Sequence, residues 1–237
     1  MKGDTKIFLA IASLMLVVSA CQPVTNAGVG TSVAPSTTDS LTVPTQSTGN
    51  VLLTDNFSSA QWGTGTDSDS SVEYANETLQ MIMFTKNIFV WSHPNNRNYQ
   101  NVHLEVTVVN NNTDSTTAFG LMCNWQTASK GSFYYFAITP AGQYAIAKAS
   151  EGQSDIFLTN NDQFASSDLI AQDASSYRVG ADCGSNGTLT LYVDGQQIAS
   201  VSDVSYTEGG VAVFTWSGEE ATTTNVSFDD FLMTELP

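Results

Sequence analysis

From residue 52 to the C-terminus, apolar side chains recur at every second position in short runs, and no stretch of helical length carries a 3.6-residue period. Leu79, Met81 and Met83 alternate in TLQMIMF. Val102, Leu104, Val106 and Val108 share one face of NVHLEVTVV, with His103, Glu105 and Thr107 on the other. In AFGLMCNW, alternation predicts that Phe119, Leu121, Cys123 and Trp125 point the same way. SFYYFAI and QYAIAKA flank Thr139-Pro140-Ala141-Gly142, whose Pro and Gly suit a tight turn. LTLYV and QQIASV flank Asp194-Gly195, a dipeptide that accepts positive φ at both central positions of a two-residue hairpin. GGVAVFTW and TNVSFDDFLM close the chain. Roughly a dozen short strands separated by turn residues predict an all-β fold, a two-sheet antiparallel β-sandwich or jelly roll. Only residues 160–176 leave room for a short helical turn.

Two segments of different character precede the strands. Lys2 and Lys6 lead into the apolar run Ile7–Ala20, whose 14 residues suit a signal-peptide h-region and fall short of a comfortable bilayer span. Val18-Ser19-Ala20-Cys21 then resembles the lipobox of bacterial lipoproteins: a branched apolar residue, two small ones, and cysteine. The resemblance implies cleavage before Cys21, a diacylglyceryl group on its sulfur, and a lipid-anchored protein of the bacterial cell envelope, its domain facing outside the cytoplasm. Gln22 is not the Asp that retains some lipoproteins in an inner membrane. Residues 22–50 consist mainly of Ser, Thr, Pro, Gly, Ala and Val, with Asp39 as their one charge. Such a stretch buries too little apolar area to offset its ordering entropy, so a disordered tether is expected. As a flexible coil, these 29 residues would span about 30 Å, enough to hold a domain clear of a membrane. The expected organisation is therefore a signal peptide over 1–20, lipidated cysteine and tether over 21–50, and one folded domain over 51–237.

Charge narrows the partners. Without the signal, the chain keeps 5 basic and 22 acidic residues, a net of −17. Such a surface repels phosphate backbones and anionic headgroups, which argues against nucleic-acid binding. Cys123 and Cys183 lie on the apolar faces of strand-like runs in an exported domain, where oxidation is permitted, and are expected to form a disulfide.

The order DNFS (55–58), GLMCNW (120–125), YYFAITPAGQYAIAK (134–148), YRVGADCGSNGTLTLYVDGQQI (177–198), GGVAVF (209–214) and VSFDDFLM (226–233) resembles the concanavalin A-like lectin/glucanase superfamily, particularly its laminin-G-like bacterial envelope domains. The resemblance implies a final strand that pairs beside the first. It implies little about activity, because this scaffold hosts lectins, hydrolases and inert spacers. Laminarinase-like hydrolases of the superfamily carry Glu-x-Asp-x-x-Glu along one strand, and that motif is absent here. Glu219 and Glu220 are adjacent in a Gly-flanked turn, while Glu73, Glu105 and Glu208 stand alone. Neither His93 nor His103 is accompanied by a nucleophile elbow, and two histidines make a poor zinc site.

Calcium is the cofactor the pattern admits, since this superfamily often clips its first and last strands with one. Asp55, Asn56, Asp229 and Asp230 would supply its oxygens, with edge charges and turn caps as the alternative. Sugar binding needs aromatic faces together with amide, carboxylate or guanidinium groups for hydroxyls. The loop Trp91-Ser92-His93-Pro94-Asn95-Asn96-Arg97-Asn98-Tyr99 supplies both, so Trp91, His93, Asn95, Asn96, Arg97 and Tyr99 are the candidate glycan-binding residues. Trp62 is a second candidate; Trp125 reads as core, and Trp216 suits either role. The expected function is a non-catalytic binding module with a glycan as partner. The alternatives are a sugar-active hydrolase on the same scaffold and a structural or protein-interaction domain.

Overall fold

The computed structural model describes residues 49–112, 114–129, 131–219 and 223–237. The signal, Cys21 and the tether up to residue 48 lie outside them. The described residues belong to one compact unit and form strands and turns without a helix.

Two antiparallel sheets face each other. The first runs in the order β14 (Gln196–Ser202), β13 (Thr188–Val193), β12 (Ser176–Cys183), β6 (Val102–Asn110), β16 (Thr224–Glu235), β4 (Thr78–Met83), β3 (Ser70–Ala75) and β2 (Gly65–Thr66), with β1 (Val51–Asp55) also on β16. The second runs β10 (Ile156–Phe157), β9 (Gln143–Ala149), β8 (Phe133–Ile138), β7 (Ala118–Trp125), β15 (Gly210–Trp216) and β5 (Phe89–Ser92), with β11 (Ala165–Ser166) also on β9. The alternating residues of β4 and β6 fill the space between the sheets, against Phe119 and Leu121 of β7 and Phe228 and Met233 of β16. Cys123 and Cys183 meet there in a disulfide with Cα atoms 6.6 Å apart, which ties β7 of one sheet to β12 of the other.

Local chemistry sets the connections. Asp194 and Gly195 take φ of 50° and 76° between β13 and β14, as a two-residue hairpin requires. Gly142 N–H closes the β8–β9 turn on Thr139 O at 3.0 Å. The first and last strands pair, Asp55 opposite Phe231, and Glu235 N–H reaches Asn50 O at 2.9 Å.

Two expectations fail for local reasons. Residues 160–176 leave their room for a helical turn unused: Asn160, Asn161 and Asp162 all have positive φ, and Ala165–Ser166 instead adds a short edge pairing to β9. Trp125 does not share the Cys123 face. Asn124 adopts φ of 52°, and the β7–β15 register slips between Gly210 and Ala212, so a bulge turns Trp125 to the outer face.

Candidate functional site

The outer face of the second sheet carries a second apolar cluster, separate from the core between the sheets. Its floor is small: Ala118, Ala137, Ala147 and Ala212, with Gly120 among them. At Gly120 a Cβ would sit 2.0 Å from Phe136 O, so β7 and β8 require glycine there. Aromatic rings stand over this floor. Phe89 stacks on Phe214 at 4.7 Å and meets Tyr135 and Phe133 at 5.9 Å each. Tyr135 continues to Phe157 at 6.5 Å, and Phe157 to Phe164 at 5.3 Å. Phe89 and Phe133 sit on strands three apart, about 14 Å across the sheet, and their rings lean toward each other over the alanine and glycine floor.

The candidate loop opens from the edge of this face. Phe89, Trp91 and His93 alternate along β5 and its continuation, so all three project onto the aromatic side, while Ser92 turns inward to Gly63 O. Trp91 lies 6.4 Å from Phe89 and is 37% exposed. His93 lies against Trp125, ring centres 4.7 Å apart. Its Nδ1 is 3.1 Å from Asn95 O, and since a carbonyl only accepts, Nδ1 donates in this contact.

The remaining residues of the loop divide between support and surface. Asn95 Nδ2 donates to the Tyr99 hydroxyl at 3.1 Å, and Asn95 Oδ1 accepts from Arg97 N–H at 2.9 Å. Tyr99 bridges to Gly209 through both backbone groups and packs against the core. Asn95 and Tyr99 thus hold the loop's shape. Asn96 and Arg97 extend their side chains from an exposed stretch of it. Trp91, His93, Asn96 and Arg97 therefore form the accessible part of the predicted site.

Trp62 departs from its predicted role. It is 4% exposed, packs between Phe57 and Phe231, and donates Nε1–H to Asp55 Oδ2 at 2.9 Å. An indole enclosed in this way has no face for a sugar. Asp55 also accepts Phe57 N–H at 2.8 Å, so its carboxylate organises the chain after β1. Among the described residues, no three His, Cys, Asp or Glu side chains are grouped to hold a metal ion. Asn56 Oδ1 accepts from Ser58, and Asp229 Oδ1 from Asp230 N–H. Asp55, Asn56 and Asp230 instead line a pocket of about 370 Å³ on the first sheet, together with Gln61 and Arg178.

Other titratable groups are tied into networks. His103 lies between Asp182, at 2.6 Å, and Glu105, at 3.3 Å. Burial disfavours its charged form, but the hydrogen bonds and charges of both carboxylates outweigh that and raise its pKa to about 9. Both ring nitrogens are thereby engaged. On the aromatic face, Tyr135 donates to Asp155 at 3.0 Å, and burial pushes the Asp155 carboxyl up despite that bond. Asp162, nearby in sequence, accepts Phe157 N–H at 2.7 Å.

Sequence reasoning missed the aromatic face, although one signal was available. FYYFAI in β8 is apolar at consecutive positions, as a strand buried on both faces must be. No protein-family model and no curated protein matches the sequence. Solved structures do match. A Bacillus subtilis protein of unknown function with a galectin-like fold is 10% identical, with a TM-score of 0.58 over 79% of this chain and 96% of that one. The carbohydrate-binding module CBM66 from Bacillus subtilis is 12% identical, with a TM-score of 0.56 over 74% of this chain and 96% of the module. The Bacillus licheniformis β-glucanase is 13% identical, with a TM-score of 0.55 over 80% of this chain and all of the enzyme. The chain folds as a concanavalin A-like, galectin-like β-sandwich.

Proposed function

We propose that this is a non-catalytic carbohydrate-binding domain, held at the bacterial cell envelope by a lipid on Cys21, that binds glycan chains along the aromatic edge of β5. The observation that carries the reading is Trp91, an exposed indole beside Phe89 at the edge of the outer aromatic cluster. The apolar C–H face of a sugar ring stacks on such a surface, while His93, Asn96 and Arg97 stand within a few residues to meet hydroxyls. The likeness to a carbohydrate-binding module and to a β-glucanase supports the same reading. Glycoside hydrolysis needs two carboxylates facing each other across the bound sugar. No Glu-x-Asp-x-x-Glu pattern lies along any strand, which favours binding over hydrolysis.

A glycan array probed with the oxidised protein, beside Trp91→Ala and Arg97→Ala variants, tests the reading. Binding to a defined glycan class that Trp91→Ala removes is the expected result. Binding that survives both substitutions, or release of reducing ends from the bound glycan, would overturn it.

A further inference from the structure

The pocket on the first sheet arises from an irregularity in β16. Asp229 pairs with Thr107 of β6 and Leu232 with Glu105, so two residues of β16 stand against one of β6, and Asp230 takes φ of 48°. This bulge lies where β4 ends its pairing with β16 and β1 begins. The Asp230 carbonyl accepts from Arg178 Nη1 at 2.6 Å. The same guanidinium donates to Thr107 Oγ1 at 3.1 Å and twice to Glu105, at 3.2 and 3.0 Å. Four of its five N–H groups are thereby used, and Glu105 balances its charge. One N–H remains on Nη2 of a residue that lines the pocket.

The other walls are complementary in kind. Asn56 engages its Oδ1 with Ser58, which leaves its amide N–H₂ as a donor. Gln61 supplies an amide oxygen, and the exposed Asp230 contributes a carboxylate with no partner among the described residues. Phe231 and Leu232 give the wall an apolar stretch. An anion would sit beside Asp230 and Asp55 and is disfavoured; a metal cation needs several free oxygens, and of the two carboxylates here Asp55 already accepts from Trp62 Nε1–H and Phe57 N–H. What suits donors, acceptors and an apolar wall together is an uncharged ring bearing hydroxyls, each able to donate and accept. The volume of about 370 Å³ accommodates one such ring.

We propose that this pocket binds a single neutral sugar unit, as a site separate from the aromatic edge of β5. Trp62 provides a reporter, because its indole N–H donates to Asp55 at the pocket wall while its ring is buried. The experiment titrates the oxidised protein with methyl glycosides of glucose, galactose, mannose and N-acetylglucosamine, with glucuronate and calcium chloride as charged comparisons. Nitrogen–proton correlation spectra follow the Trp62 indole signal. The expected result is a saturable shift with at least one neutral glycoside in the millimolar range, weakened at least about tenfold in Asn56→Ala/Gln61→Ala and unchanged in Trp91→Ala. Both substituted side chains of the double variant are exposed, and the dispersion of its spectrum checks its fold. No shift with any neutral glycoside, a shift that persists in the double variant, or tighter binding of glucuronate or calcium would overturn the proposal. Polysaccharide binding through Trp91 would survive each of those outcomes, so failure of the pocket is distinguishable from failure of the aromatic site.

Discussion

Replacing both Cys123 and Cys183 with alanine gives a magnitude that follows from the fold. The bridge joins positions 60 residues apart, and both sulfurs lie in the core between the sheets. In the chain-entropy model, a closed loop of that length destabilises the unfolded chain by about 4 kcal/mol. Loss of each buried sulfur, about a methylene in size, adds about 1 kcal/mol of lost packing, for a total of about 6 kcal/mol. At about 2.1 cal/mol/K per residue, the 187 residues from 51 onward have an unfolding entropy of about 0.4 kcal/mol/K. The expected fall in Tm is then about 15 °C, read by circular dichroism at matched pH and protein concentration. A single Cys123→Ala variant should lose most of the same stability, because the cross-link is gone once either cysteine is replaced. A fall below about 5 °C in the double variant would refute the reasoning, since the loop term alone exceeds it.

Three further outcomes are expected. Trp62→Phe keeps a ring between Phe57 and Phe231 but removes one donor from the buried Asp55 carboxylate, and should cost about 1–3 kcal/mol in urea unfolding. An unchanged urea midpoint would show that the hydrogen bond is dispensable. His103 has a folded pKa raised to about 9, so its contribution to stability is full below its ordinary 6.5 and is lost as pH rises through 9. Urea midpoints should therefore fall across that interval in the native protein and fall less in His103→Gln; equal slopes would remove the Asp182–His103–Glu105 account. Cys21→Ser should abolish incorporation of labelled fatty acid in a bacterial host and release the protein from membranes, and retained label would overturn the lipid anchor.

Local pattern carried much of the fold. Alternation in β4 and β6 identifies core and solvent faces because each strand has one apolar side, and Asp194-Gly195 identifies its hairpin because few dipeptides accept two positive φ values. The face of Trp125 was not legible, because a single left-handed Asn124 reverses the alternation, and within a strand that conformation depends on a partner strand that admits a bulge. Trp62 was misread for a different reason. An indole in a polar segment reads as exposed until Asp55, seven residues earlier, is seen to bind its N–H inside the fold. The 91–99 loop was recognisable by composition, yet only tertiary contacts divide its supports, Asn95 and Tyr99, from its accessible groups, Trp91, His93, Asn96 and Arg97. The pocket on the first sheet was legible in part: pairing of the first and last strands brings Asp55 and Asn56 to Asp230, whereas Arg178 of β12 joins them across a separation no local pattern spans.

The central claim, that Trp91 is a sugar-stacking surface, is tested most directly by calorimetric titration of the array's strongest glycan into native protein and Trp91→Ala, with folding of the variant verified by its Tm. The account predicts a cooperatively folded variant whose Tm falls by several degrees, because the indole is partly buried against Phe89, and a Kd weakened at least about tenfold, about 1.4 kcal/mol of lost stacking. Equal Kd values in the two proteins would contradict it and move the glycan away from the β5 edge.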